Sequence, residues 1–288
     1  MKFSNLGLLM ETLRRDLPPP ESITLATRSW GLGTAEIVLL HGFGDGAFVW
    51  DAIAPRLSDL APTIAPDLRG HGNSPWDTLG RYAICHQVGD VLCLVDQLGP
   101  KPIVLVGHSM GAAVAAHVAA ARSASVVGLV IIDGGPGLDA ATSRFLLEQF
   151  AQQPRRYGSL YEYECVLATR LVLAQAETLR CYAAGALRPR ADVGYELKYD
   201  PVLRNGIPHT RDRGLRDTLS DVTCPILLVR GGMSAMLSNA TAVLLSKGLS
   251  RCKLVTVPMA GHAVPLENPA GLLAVISPFL RACLREPG

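Results

Sequence analysis

Ser109 stands between two glycines in GHSMG (residues 107–111), directly after the apolar run IVLV and before the alanine-rich stretch MGAAVAAHVAA. A G-x-S-x-G segment has chemical meaning where a strand turns tightly into a helix, because that turn exposes the serine hydroxyl above the sheet. The turn forces the serine backbone into a strained conformation, and at Gly107 and Gly111 a side chain would collide with neighbouring backbone. The first amides of the following helix then face any negative charge that develops beside Ser109. These features suit a nucleophile for acyl transfer, provided that a base can take its proton. The chain contains seven histidines from which that base must come.

For such a turn to exist, strands must alternate with helices. Short apolar, β-branched runs at 37–42, 63–67, 103–109, 126–134, 226–232 and 253–258 read as strands, and their near-continuous apolarity suits a mostly parallel sheet covered on both faces. Helical patterns lie at 52–60, 82–98, 110–121, 240–248 and 269–284. The segment 137–219 breaks the alternation: its runs RFLLEQFAQ, YEYECVLATRLVLAQ and ETLRCYAAGAL are helical in pattern with no strand between them. The expected organisation is an α/β core made of 1–136 and 220–288 with a helical cap inserted at 137–219. The cap arginines (Arg155, Arg156, Arg170, Arg188, Arg190, Arg211, Arg213) have acids beside them and read as a solvated surface of mixed charge. Its apolar residues Phe145, Leu146, Leu147, Phe150, Leu160, Tyr161 and Tyr163 read first as cap core and second as pocket wall.

With these motifs in view, the chain resembles the α/β-hydrolase family over nearly all of its length outside the first twenty residues and the cap. HGFGDGAFVW (41–50) resembles the family's loop after the third strand, and the resemblance assigns the Phe43 amide to the oxyanion hole. With the Met110 amide it would supply two preorganised donors, each worth roughly 3 to 4 kcal/mol to the transition state. DLRGHGNS (67–74) resembles a signature whose Asp67, Arg69 and His71 buttress loops. GHAVPLENP (261–269) follows the last strand and resembles the catalytic-histidine loop, which makes His262 the base. His41 and His108 then serve as packing partners inside motifs, and His71, His86, His117 and His209 lie on loops or helix faces.

The third member of the set departs from the family pattern. The resemblance implies an acid just after ILLVRGG (226–232), yet Met233, Ser234, Ala235, Met236 and Leu237 follow, and Ala235 stands where an aspartate is expected. Asp221 precedes that strand and lies at the wrong end of the sheet, while Glu267 is expected to cap the final helix. Asp133, at the end of VIID, occupies an alternative place for the acid. Either Asp133 completes a triad with Ser109 and His262, or Ala235 marks a lost carboxylate. A serine–histidine pair without its aspartate is slowed by about 10⁴ but keeps some catalysis.

Composition limits the remaining choices. A net charge of +2 without a long basic run excludes a phosphate backbone as an expected partner. Seven cysteines without a CxxC pair suggest neither a disulfide framework nor a zinc site, and they read as reduced, mostly buried thiols. The apolar stretch before Glu11 is too short for a membrane span, so a soluble cytoplasmic protein with no membrane partner is expected. No phosphate loop or ligand cluster calls for a cofactor or metal. The expected activity is a serine hydrolase acting on a carboxylic ester or thioester of a small molecule with a hydrophobic part. Two alternatives share the fold: hydrolysis of a carbon–carbon bond in a vinylogous diketone, and a ligand-binding protein whose chemistry has decayed at Ala235. Oligomeric state is not legible in the sequence.

Overall fold

The computed structural model describes residues 22–135, 147–206 and 214–285. Its strands are β1 (Thr27–Trp30), β2 (Ile37–Leu40), β3 (Thr63–Pro66), β4 (Ile103–His108), β5 (Val126–Ile132), β6 (Arg156–Tyr157), β7 (Leu187–Pro189), β8 (Tyr195–Leu197), β9 (Ile226–Gly231) and β10 (Cys252–Val257). Seven of them form one sheet in the order β1-β3-β2-β4-β5-β9-β10. Every neighbouring pair is parallel except β1 on β3, which is antiparallel and closes one edge.

Side chains of a strand point alternately to its two faces, and here both faces are buried. Ile37, Leu39, Val104, Val106, Val130, Ile132, Leu227 and Val229 feed one hydrophobic core. The intervening Val38, Leu40, Ile103, Leu105, Leu129, Ile131, Ile226 and Leu228 feed the other. The first core is covered by the helices Ala54–Ser58 and Pro269–Arg285, and the second by Ile84–Gln97, Met110–Ala121 and Asn239–Lys247. This is the α/β-hydrolase arrangement, and it explains why the central strands read as uninterrupted apolar runs. Ala112, Ala115, Ala116 and Ala119 are fully buried along one helix, where small side chains let it lie close to β4.

Between β5 and β9 the chain leaves the sheet and builds the inserted cap. Helical residues 147–152 are followed by the helices Leu160–Arg170 and Ala176–Ala186. The cap also contains strands, against the expectation of helices alone: β6, β8 and β7 form a three-stranded antiparallel sheet in that order. These strands are two or three residues long, too short to show a period of two in the sequence. Their pairing is legible instead in charge, since Arg156 and Arg188 both stand opposite Glu196 and Arg188 bonds to it at 2.8 Å. Phe145, Leu146, His209, Arg211 and Arg213 lie outside the described residues.

Two smaller expectations are corrected. Only Cys224 and Cys283 are buried, while Cys85, Cys165 and Cys181 are exposed on helices whose apolar face is turned elsewhere. Glu267 does not cap the final helix: its Oε2 accepts from the Gly261 amide at 2.7 Å, and Asn268 accepts from Gly271 at 2.8 Å at the helix start. Among the described residues no helix is long and apolar enough to cross a membrane.

Candidate active site

The turn from β4 into the helix Met110–Ala121 fixes the first functional side chain. Ser109 has φ 54° and ψ −117°, left-handed backbone that a non-glycine residue adopts only under constraint. The constraint comes from close approach on both sides: a Cβ on Gly107 would stand 2.3 Å from the Gly111 carbonyl oxygen, and one on Gly111 2.3 Å from that of Leu40. The Ser109 amide donates to Ile132 O at 3.0 Å, tying the bend to the end of β5.

One residue further, at the end of β5, Asp133 also has positive φ (46°), and its amide donates to Val229 O at 2.8 Å. Its side chain is buried and turned toward β9. Oδ1 accepts from the Gly231 amide at 2.9 Å, and Oδ2 accepts from the Ser234 hydroxyl. The loop in which an acid was expected therefore contributes a hydroxyl and an amide that hold an acid from the neighbouring strand. Ala235 is exposed on that loop.

The loop after β10 brings His262 to this edge. His262 Nδ1 lies 2.8 Å from Asp133 Oδ2, and its Nε2 lies 3.0 Å from Ser109 Oγ. With its Nδ1 proton directed at the carboxylate, the ring presents Nε2 as an acceptor for the serine hydroxyl. Two further contacts hold the loop: Glu267 on the Gly261 amide, and His108 Nε2, 2.8 Å from the His262 carbonyl oxygen. His108 precedes the serine, so the strand that presents the hydroxyl also restrains the imidazole. Burial lowers the His108 pKa to about 3, helped by the nearby His262, so the ring stays neutral.

The two residues whose amides are expected to receive an oxyanion follow directly on Ser109 and on Gly42, which packs against it. Met110 opens the helix, where first-turn amides have no intrahelical acceptor. Phe43 lies in the loop after β2, whose Gly42 packs against Ser109, with a Cβ there standing 3.3 Å from the serine Cβ. Behind this loop His41 Nε2 accepts from the Leu68 amide at 2.8 Å, and Asp67 accepts from Ala47 at 2.6 Å and Asn73 at 2.9 Å. Arg69 forms a buried pair with Asp90 at 2.6 Å, and His71 Nδ1 lies 2.9 Å from Arg69 O.

Ser109 and His262 open into a pocket of about 200 Å³ whose outer wall is the cap, including Phe150, Tyr163, Leu167, Leu171, Tyr182 and Tyr199. Phe150 and Tyr163 thus serve as pocket wall, whereas Tyr161 is exposed. Two charged residues line the same pocket, and the sequence pattern singled out neither for it: Asp45 and Arg170. The surface reading suits Arg188 and Arg190, which pair with Glu196 and Asp192. Arg170, at the end of the helix Leu160–Arg170, is exposed as that reading expects and also lines the pocket. Among the described residues no cluster of three or more His, Cys, Asp or Glu could hold a metal ion.

The same fold recurs among known proteins. The model of the alpha/beta hydrolase family matches residues 37–275. A lipase, LipV, of Mycobacterium tuberculosis is 38% identical over 122 residues, which is 42% of this chain and 46% of the relative, so that match spans under half the relative's length. A 2-(acetamidomethylene)succinate hydrolase of Mesorhizobium japonicum is 31% identical over 264 residues, covering 90% of this chain and 92% of the relative. A crystal structure of E-2-(acetamidomethylene)succinate hydrolase superposes with a TM-score of 0.81 at 29% identity, over 90% of this chain and 95% of the other.

Proposed function

This chain belongs to the alpha/beta hydrolase family and is a hydrolase, and from that premise we propose that it cleaves a carboxylic ester or thioester through an acyl-enzyme on Ser109. The observation that carries the reading is the continuous relay Asp133–His262–Ser109, with contacts of 2.8 and 3.0 Å, ending at the pocket. His262 Nε2 takes the Ser109 proton as Oγ attacks the carbonyl carbon, and the Phe43 and Met110 amides receive the oxyanion. The imidazolium, steadied by Asp133, returns that proton to the departing alcohol or thiol. Water then attacks the acyl-enzyme, giving its proton to His262, and the acid leaves as the serine is regenerated. Because Asp133 fills the acid's role, the exposed Ala235 is no reason to read the site as decayed. The pocket's tyrosines and leucines support a substrate with a hydrophobic part.

The test is labelling by a fluorophosphonate probe together with hydrolysis of p-nitrophenyl esters of graded chain length. Wild type labels and turns over, and Ser109→Ala does neither, with a rate loss on the order of 10⁵ to 10⁶. Absence of labelling in the folded wild-type protein sinks the reading.

Arg170 favours a narrower version in which the substrate also carries a carboxylate. The residue lines the pocket while open to solvent, and among the described residues no carboxylate pairs with it. A succinate is also what the Mesorhizobium relative hydrolyses by name. Arg170→Gln is expected to lose roughly 10- to 100-fold in kcat/KM on a monoester of a dicarboxylic acid. On the neutral ester of equal length it should change little, and an equal loss on both removes this version.

A further inference from the structure

The pocket holds a second carboxylate that the hydrolytic relay leaves unused. Asp45 lies two residues beyond Phe43 in the loop after β2, partly exposed to the cavity. Its Oδ1 accepts from the Tyr182 hydroxyl at 2.6 Å, a bond from the core loop to the cap helix Ala176–Ala186. That bond engages Oδ1 and leaves Oδ2 for the cavity that Asp45 shares with Ser109. Oδ2 lies 3.1 Å from the point where a Cβ on Gly42 would stand, and Ser109 Cβ lies 3.3 Å from the same point. A group attached close to the carbonyl under attack therefore lies in the same small cavity as Oδ2.

Among the described residues Oδ2 accepts no hydrogen bond, and being open to the pocket it is available to a donor that a substrate brings. A bare negative charge here would also oppose the oxyanion forming a few ångströms away, whereas a donor on Oδ2 spreads that charge. Resting on the hydrolase reading above, we propose that Asp45 is a specificity-determining residue, accepting a hydrogen bond from a hydroxyl or N–H that the substrate carries within two or three bonds of its scissile carbonyl. The sequence could not single it out, because its meaning depends on Tyr182, which lies 137 residues away.

The state of the carboxyl group is consistent with this role. Burial pushes the Asp45 pKa up to about 6, opposed by the Tyr182 hydrogen bond and by the proximity of His262. The titratable and charged groups facing it are His262 and His108 from the core, Tyr182 and Tyr163 from the cap, and Arg170 across the pocket. Asp45 thus acts mainly as an acceptor above about pH 6 and as a protonated acid below it.

The experiment compares p-nitrophenyl 3-hydroxybutanoate with p-nitrophenyl 3-methylbutanoate, which has a methyl group in place of the hydroxyl, each corrected for its hydroxide-catalysed rate. The ratio of kcat/KM values is read from the acylation phase, with fluorophosphonate labelling of Ser109 as control. At pH 8 wild type should prefer the hydroxy ester roughly tenfold or more. Asp45→Asn keeps the oxygen that Tyr182 needs and turns an amide N–H to the substrate, so the preference should collapse toward unity or reverse, whatever happens to the absolute rates. In wild type alone the preference should fall between pH 8 and 5, a measurement that survives if the variant does not fold. The His262 titration cancels in the ratio. Equal slowing of both esters by Asp45→Asn, or a ratio independent of pH, would mean that Asp45 only tethers loop to cap and overturns the inference. A wild-type protein that neither labels nor cleaves overturns the hydrolase reading and this inference with it.

Discussion

On the core side of the pocket each linked side chain is held at several points. Asp133 is gripped by Gly231, Ser234 and His262, the histidine loop by Glu267 and His108, and Ser109 by a bend that leaves no room at either neighbouring glycine. On the cap side the wall is made of leucines and of aromatic rings that meet at a tilt, such as Phe150 with Tyr199 at 4.9 Å and Tyr163 with Tyr182 at 6.4 Å, beside a guanidinium that pairs with no acid among the described residues. The first region fixes three groups in one geometry. The second sets the size and polarity of a space. Chemistry thus depends on positions that are over-determined, whereas selectivity depends on positions that can be exchanged singly.

The comparison breaks first if Asp133 can be dispensed with. Asp133→Ala is expected to cost about 10⁴ in kcat, as loss of an orienting triad aspartate does, while Ala235→Asp in the wild-type background should have little effect. A loss of less than tenfold at position 133, measured by steady-state turnover, would show that the core is not held as described.

Next in size is the response of the whole core to acid. Burial lowers the pKa of His41 to about 4 and those of His71 and His108 to about 3. The unfolded chain takes up these protons near pH 6.5, so it binds more protons than the folded state as pH falls below that value. Stability is therefore full above about pH 6.5 and lost progressively down to about pH 3, with a total on the order of several kcal/mol. Urea midpoints measured across this window should drop steeply, and a flat profile would mean that the three rings are not sealed from water.

The smallest effect sharpens the contrast. Leu167→Ala or Leu171→Ala, both in the cap wall, should shift the preferred acyl chain by one or two carbons, with changes of roughly 10-fold at most in kcat/KM and an unchanged rate of fluorophosphonate labelling. A large fall in labelling from either variant would mean that the cap helps to hold the serine, and the two regions would lose their distinction.

What the sequence revealed follows the same division. The elbow was legible because its strain has to be encoded locally, in glycines two residues to each side of Ser109. The sheet was legible because burial on both faces leaves long apolar runs, although β1, exposed along half its side chains, was not. Asp133 stayed ambiguous because what distinguishes it, the contacts to Gly231, Ser234 and His262, joins residues about a hundred or more positions apart. Glu267 was misread for a similar reason: its place before a helix suggested a cap, while its bond runs back to Gly261. Asp45 passed unnoticed and Arg170 read only as surface, because the position of a charge in the sequence says nothing about what it meets in space.

The left-handed backbone at Ser109 and Asp133 has a consequence for anyone seeking a more heat-tolerant version of this protein. Glycine would relax the strain at Ser109, so a selection for survival at high temperature with no demand for turnover should enrich Ser109→Gly, gaining on the order of 1 kcal/mol, whereas at Asp133 the same relief is outweighed by the buried bonds to Gly231 and Ser234 that the carboxylate holds. The winners of such a screen would be sturdier and inert, so the strain at Ser109 is one an engineer must leave alone.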